Sequence, residues 1–153
     1  MKLNEPVART DAVAHLQRNI SRHTAQRVAS AALDEAERLG ISVNAAVVDR
    51  AGTLMAFLRM PEASLHSAET AMDKAYTAAS FRFPTSQWAD ALASFPPVVQ
   101  QNILQRPRLV IFGGGIPLEV EGEVIGAIGV SGGSVEQDEH CAAAGAAALH
   151  GSE

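Results

Sequence analysis

Two pairs of short β-rich runs, each pair joined by a tight turn, limit the fold of this chain more than any other feature. Residues 42–59 read SVNAAVVD and TLMAFLR about a turn that contains Gly52, and residues 117–130 hold a second pair of runs about Glu121-Gly122. Turn residues of this kind between β-rich runs are typical of β-hairpins. Because hairpins pair neighbouring strands antiparallel, the sequence predicts an antiparallel sheet with helices packed on it, not a doubly wound parallel sheet.

Helical patterns flank the two hairpins. Ser21 is a predicted N-cap and Gly40 a predicted C-terminal stop of the first helix. Residues 63–81 contain good helix formers and have neither Gly nor Pro among them. Ser134 and Gln137 have the spacing of a capping box ahead of an Ala-rich helix. We therefore predict three main helices.

Shorter elements lie between the second helix and the second hairpin. Thr85 is a predicted N-cap of a short helix, residues 98–104 predict another helical turn, and residues 108–112 predict a further strand. The resulting class is α/β (α+β), a five-stranded antiparallel sheet flanked by helices. At 153 residues the chain fits one domain over residues 21–150, with residues 1–20 as an N-terminal arm or short helix.

Charge and composition exclude several classes of protein. The net charge is −5 and Lys and Arg are scattered, so we expect no nucleic-acid partner. The longest apolar stretches are far shorter than the roughly 20 residues that span a bilayer, so we expect no membrane partner. The first ten residues lack the apolar segment of a secretion signal, which favours a cytoplasmic protein.

Most of the 12 glycines lie between residues 113 and 133. Gly113, Gly114 and Gly115 precede Pro117, and three successive glycines exceed what a turn requires. We expect this loop to present backbone N–H groups to a carboxylate or propionate. The alternative is a strained connection between neighbouring elements.

A second Gly-rich loop runs directly into the last helix. Ser131, Gly132 and Gly133 would place their amides at a helix N-terminus, which favours anionic ligand groups. The alternative is that the glycines are there because a helix packs tightly against them. Both loops together predict a site for a small anionic ligand.

Four stretches taken together resemble a known family. They are AAVVDRAGTLMAFLRMPEA, DKAYTAASF followed by Pro-Thr, GGGIPLEVEGEVIGAIGVSGG and QDEHCAAAGAAAL, and the resemblance extends over about residues 21–149. In this order they resemble the GlcG/HbpS-like proteins, which also form the C-terminal domain of PduO-type corrinoid proteins. The resemblance implies a profilin-like sandwich that assembles into homo-oligomers, from dimers to octamers. It also implies haem or a corrinoid (cobalamin) as the cofactor.

Lys74 and Asp138 are the candidate catalytic residues. Lys74 lies among alanines, and burial would lower its pKa and suit it to acid–base work. Otherwise it is an exposed lysine, free or paired with Asp73 or Thr70. Asp138 would orient a ligand or a catalytic water, or merely complement the helix dipole. Thr85 matches the family's threonine after the helix with Lys74, so the resemblance makes it a ligand-contact candidate.

The five histidines have no zinc-type spacing, so we expect no structural metal. Haem needs only one proximal ligand, which His23, His66 or His140 could supply. We prefer His66 because it shares a helical face with Thr70 and Lys74. Surface histidines without a ligand role are the ordinary case.

Three functions fit these observations. The first is a cytoplasmic protein that holds haem, a corrinoid or another anionic ligand at the Gly-rich loops between subunits of a homo-oligomer. The aromatic content of 5% counts against a deep haem pocket. The second is a small enzyme of a catabolic pathway that acts on an organic acid, with Lys74 and Asp138 in proton transfer. The third is a scaffold protein whose glycines only permit packing.

Overall fold

The computed structural model describes residues 13–151. Residues 1–12, most of the predicted N-terminal arm, therefore lie outside the described part. Residues 13–20 contain no helix, so the predicted short helix is not found in that part of the arm. Ile20 ends this segment in the core, where its N–H donates to the carbonyl of Ile125 at 3.0 Å. The arm is thus attached to the sheet at its last residue.

The fold contains helices and strands in the order α-β-β-α-α-α-β-β-α, with one 3-10 turn after the second helix and one at the end. The helices are α1 (Arg22–Leu39), α2 (His66–Phe81), α3 (Trp88–Ala93), α4 (Pro97–Ile103) and α5 (Val135–Ala147). The strands are β1 (Asn44–Asp49), β2 (Leu54–Arg59), β3 (Gly115–Val120) and β4 (Glu123–Ser131). The 3-10 turns are Thr85–Gln87 and Ala148–His150.

The strands form one antiparallel sheet in the order β2-β1-β4-β3. Successive side chains of a strand point to opposite faces, so the central strands β1 and β4 supply both halves of the core. Ala45 and Val47 pack with α1 and α5, whereas Ala46 and Val48 pack with α2. The sheet therefore lies between α2 on one face and α1 with α5 on the other, and this sandwich confirms the predicted fold class.

Over residues 13–151 the sheet has four strands, and the prediction of five is wrong. Residues 108–112 were predicted as the extra strand, but their backbone groups pair with a side chain of α2 instead. The Thr77 hydroxyl donates to the carbonyl of Arg108 at 2.9 Å and accepts from the N–H of Val110 at 3.1 Å. Arg108 also has φ +65°, which interrupts an extended chain.

Most of the predicted helix ends are confirmed. Ser21 caps α1, Gly40 ends it in the left-handed conformation, and Ser134 with Gln137 forms a complete capping box at α5. Thr85 is the exception. It begins a 3-10 turn whose preceding residue is Pro84, and its hydroxyl does not cap that turn.

Candidate functional site

Helix α2 lies unusually close to the sheet above a pair of glycines. Gly115 of β3 and Gly129 of β4 are directly opposite each other. A Cβ at Gly129 would lie 2.0 Å from the carbonyl oxygen of Ala71, and one at Gly115 would lie 2.5 Å from that of Lys74. These two glycines admit the backbone of α2 to the sheet. At this pair, the absence of a Cβ atom allows the helix to pack closely on the sheet.

Lys74 is buried completely by this packing. Its Nζ donates to the carbonyl of Val130 and to Oδ2 of Asp138, both at 2.9 Å, and lies 4.9 Å from the centre of the Phe112 ring. Gly114, with φ +121°, leaves room for the ammonium group, since a Cβ there would lie 2.6 Å from Nζ. The sequence left open whether Lys74 is buried or exposed, and the structure shows that it is buried.

Burial opposes both charges of the Lys74–Asp138 pair. It lowers the pKa of Lys74 and raises the pKa of Asp138, while the contact between them acts in the opposite direction on each group. Oδ1 of Asp138 also accepts from the N–H of Gly133 at 2.8 Å, which favours the charged carboxylate. The pair joins α2 to the first turn of α5 and to β4.

Two of the three amides of the first Gly-rich loop are hydrogen-bonded within the protein. Gly113, Gly114 and Gly115 are buried, so the predicted exposed surface of N–H groups is wrong here. The N–H of Gly114 donates to Oε2 of Glu139 at 2.6 Å, and that of Gly115 donates to the Thr85 hydroxyl at 2.9 Å. These amides thus bind polar groups of the protein itself. A ligand role of these residues and of Thr85 stays a prediction.

The second Gly-rich loop is partly open to solvent. Ser131 is buried, whereas Gly132 and Gly133 are exposed. The amide of Gly133 is already taken by Asp138, so the anion at this helix N-terminus is a side chain of the same helix. Gly132 has φ +144°, a conformation that side chains rarely adopt.

His66 lies at the same end of the sheet as this second loop. Asn44 of β1 is paired with Ser131 of β4, and its Nδ2 donates at 2.6 Å to the hydroxyl of Ser67, the residue after His66. The His66 side chain is exposed and makes no hydrogen bond to any residue between 13 and 151. The structure therefore places His66 near the second loop and about two helical turns along α2 from Lys74, which packs against the first loop.

Two residues at this end were missed by the sequence analysis. Oδ1 of Asn44 is buried and has no hydrogen-bond partner among the described residues. Arg59 of β2, which is exposed, pairs with Asn44 from the other side, and its Nη2 donates to the carbonyl of Ala63 at 2.5 Å. An asparagine at the start of an otherwise apolar, buried strand was the available signal, because such a polar residue usually has a specific partner.

The other candidate haem ligands have polar neighbours. Nε2 of His140 lies 2.7 Å from Oε1 of Glu35, and Nε2 of His23 lies 3.2 Å from Arg22. Among residues 13–151, no group of three His, Cys, Asp or Glu side chains is arranged to hold a metal ion. Over the same residues, no helix combines the length and the apolarity that crossing a membrane requires.

The fold and the site together define a class of protein: a small α+β sandwich with a lysine–aspartate pair buried below two Gly-rich loops. A family model described as "Haem degrading protein HbpS-like" matches residues 20–147, and the chain belongs to this HbpS-like family. The resemblance drawn from the four sequence stretches is confirmed.

Individual relatives support the same assignment. The chain is 39% identical over 114 residues to an uncharacterized 15.0 kDa protein from the dhaT-dhaS intergenic region of Citrobacter freundii, covering 74% of this chain and 80% of that protein. It is 35% identical over 131 residues to the corrinoid adenosyltransferase PduO of Salmonella typhimurium, covering 86% of this chain but only 39% of PduO. The crystal structure of a PduOC:haem complex superimposes with a TM-score of 0.78 at 36% identity, covering 86% of this chain and 96% of that one.

Proposed function

We propose that this protein binds haem, or a closely related anionic tetrapyrrole such as a corrinoid, at the end of the sheet where His66 and the second Gly-rich loop lie together. The observation that carries the proposal is the likeness to the PduOC:haem complex, which extends over 86% of this chain at 36% identity. A likeness of that length and identity supports a ligand of the same class for this chain. The description of the family as haem-degrading supports the same class of ligand.

The residues at this end of the sheet fit such a ligand. His66 offers an exposed imidazole, which is the common protein ligand of haem iron, and bound haem would supply a redox-active iron there. Leu65 beside it is 78% exposed and offers apolar contact to a macrocycle. Arg59 supplies a positive charge for a propionate.

Asn44 adds a reason to place a ligand here. A buried acceptor without a partner costs about 1–3 kcal/mol, and such groups often mark water or ligand sites. Oδ1 of Asn44 is such an acceptor. It lies near His66, because Nδ2 of the same side chain donates to Ser67, the residue that follows His66. A donor on the ligand, or a water held below it, would satisfy this atom.

The Gly-rich loops have different roles in this proposal. Gly132 and Gly133, which are exposed, are the proposed loop contacts together with Ser131. The residues of the first loop and Thr85 act from inside, because they fix Glu139 and the start of β3 behind the site. The residues of this inner group are Gly113, Gly114, Gly115 and Thr85.

The test is a haemin titration followed by visible absorbance, with hydroxocobalamin titrated in parallel. We expect a Soret shift that saturates at micromolar haemin for the unaltered protein and is weakened at least tenfold in His66→Ala. His23→Ala is the matched control, because His23 is also an exposed histidine near the start of a helix. Absence of any spectral change with either tetrapyrrole would refute the proposal. An unchanged haemin titration for His66→Ala would show that His66 is not the axial ligand.

We also propose that the protein acts as a homo-oligomer, between a dimer and an octamer. Helix α4 carries large apolar side chains on its outer surface, with Val98 65% and Leu104, just after the helix, 50% exposed. Exposed apolar residues grouped in this way favour an interface. Light scattering coupled to gel filtration should give a mass of at least twice 16.1 kDa. A monomer at 100 μM would contradict this proposal.

The buried Lys74–Asp138 pair favours a second candidate function, proton transfer on an organic acid. Paired groups whose pKa values are shifted by burial are frequent in active sites. Access to this pair would require movement of Phe112, whose ring covers Nζ. Turnover that survives in Lys74→Met with the fold intact would exclude this role.

A further inference from the structure

Two adjoining cavities lie on the C-terminal half of α2, about 20 Å along the helix from His66. Both are bounded by Tyr76 and Ser80, which are one helical turn apart. The first is apolar, has a volume of about 210 Å³ and includes Phe81, Ile103 and Leu109 in its wall. The second is polar, has a volume of about 230 Å³ and lies beside the β1–β2 turn.

The charge on these cavities is the reverse of that on the whole chain. Four of the 12 Lys and Arg residues line them, and none of the described residues that line them is acidic, although the chain has a net charge of −5. The four are Arg50 and Arg82 in the polar cavity and Arg106 and Arg108 in the apolar one. Such a concentration of one sign of charge attracts anions.

Only part of this positive charge is neutralised within the protein. Arg50 is paired with Glu123 at 2.6 Å and Arg108 with Asp73 at 2.8 Å. Arg82 forms no ion pair with any acidic side chain between residues 13 and 151. It is exposed and ends α2 with φ +63°, which places it at the mouth of the polar cavity.

The wall between the two cavities is held firmly. The guanidinium of Arg108 lies 3.7 Å above the centre of the Tyr76 ring. Gly52 approaches the same ring so closely that a Cβ there would lie 2.8 Å from its edge carbons. The ring is thus fixed by contacts with the β1–β2 turn and with Arg108, and a ligand would meet a preformed surface.

We propose that the two cavities form one binding site for a small amphipathic carboxylate, distinct from the proposed tetrapyrrole site. The apolar body of the ligand occupies the cavity of Phe81 and Ile103. Its carboxylate crosses the Tyr76–Ser80 edge and lies between Arg50 and Arg82. A guanidinium can bind a carboxylate with two parallel hydrogen bonds, which gives the site its preference for an acid over a neutral analogue.

Isothermal titration calorimetry with 2-naphthoate tests this site, and 2-naphthamide is the neutral analogue. We expect 2-naphthoate to bind at least tenfold more tightly than the amide, because charge-assisted hydrogen bonds are stronger than neutral ones. Arg82→Asn should remove most of this preference, and Asn tolerates the left-handed backbone at that position. Ser80→Phe should abolish binding by filling the shared edge. Arg22→Gln is the control for loss of an exposed arginine elsewhere.

Three results would overturn the proposal. They are equal binding of the acid and the amide, unchanged binding in both Arg82→Asn and Ser80→Phe, and no heat of binding at millimolar 2-naphthoate. The substituted residues are exposed, so we expect each variant to fold, and circular dichroism is the check. His66→Ala should bind 2-naphthoate as the unaltered protein does. A negative haemin titration would therefore not count against the carboxylate site. Likewise, a negative result with 2-naphthoate would not count against the tetrapyrrole site.

Discussion

Removal of one member of the Lys74–Asp138 pair should destabilise the protein far more than removal of an exposed ion pair. Lys74→Met keeps a similar side-chain volume, so the lost charge dominates the change rather than a cavity. Asp138, only 5% exposed, would then keep the N–H of Gly133 but lose the ammonium group at 2.9 Å. Breaking a buried pair on one side costs about 3–5 kcal/mol, so we expect a loss of this size in the free energy of unfolding.

The converse variant, Asp138→Asn, should cost a similar amount, because it leaves a buried ammonium without its counter-charge. The double variant Lys74→Met/Asp138→Asn removes both charges, and Asn can still accept from Gly133. We therefore expect the double variant to lose only about 1–2 kcal/mol, less than either single variant. The energies should thus be strongly non-additive.

Urea unfolding followed by circular dichroism measures these differences. With a slope of about 1–3 kcal/mol per molar urea, each single variant should shift its midpoint by roughly 2 M. Glu121→Gln is the control, since the Arg18–Glu121 pair is largely exposed and should contribute less than about 1 kcal/mol. If a single variant does not fold, recovery of a cooperative transition in the double variant is the deciding result. Single losses that simply add in the double variant would refute the reasoning.

Three further predictions follow from packing and titration. Gly129→Ala should cost about 1–3 kcal/mol or more in urea unfolding, because its Cβ would overlap the backbone of α2; a loss below 0.5 kcal/mol would contradict the close approach. Burial raises the pKa of Cys141 to about 11, so about one thiol in a thousand is ionised at pH 8, and labelling by a disulfide reagent should be slow until urea is added. The hydrogen bond from Arg38 lowers the pKa of Glu35 to about 2 from 4.5, so its contribution to stability is present above pH 4.5 and lost as the pH falls towards 2. Midpoints measured for Glu35→Gln should accordingly approach those of the unaltered protein over that range, and a constant difference would contradict the assignment.

The parts of the fold that could be predicted from sequence are those set by neighbouring residues. The caps at Ser21 and Ser134 and the turn at Glu121-Gly122 depend on a few consecutive residues, and the structure confirms each of them. The extra strand was predicted wrongly because its outcome depends on Thr77, a side chain 31 residues away from Arg108. Periodicity within residues 108–112 carries no information about that contact.

The candidate site shows the same division. The sequence identified Lys74 and Asp138 but left burial open, since a lysine among alanines can lie on either face of a helix. It also identified the glycines, because the absence of a Cβ marks a close approach. The sequence could not show which group comes close to each glycine. At Gly115 and Gly129 this group is the backbone of α2. Asn44 could be recognised as a candidate site residue only once its strand was known to be buried.

The occupied amides of the two loops have a consequence for selectivity. Glu139 and Asp138 are tethered beside Gly114 and Gly133, so each competes with dissolved anions at an effective concentration of about millimolar or above. Acetate or phosphate at micromolar levels would therefore be outcompeted at both positions. Only a molecule that gains binding energy from several other contacts at once could displace these carboxylates.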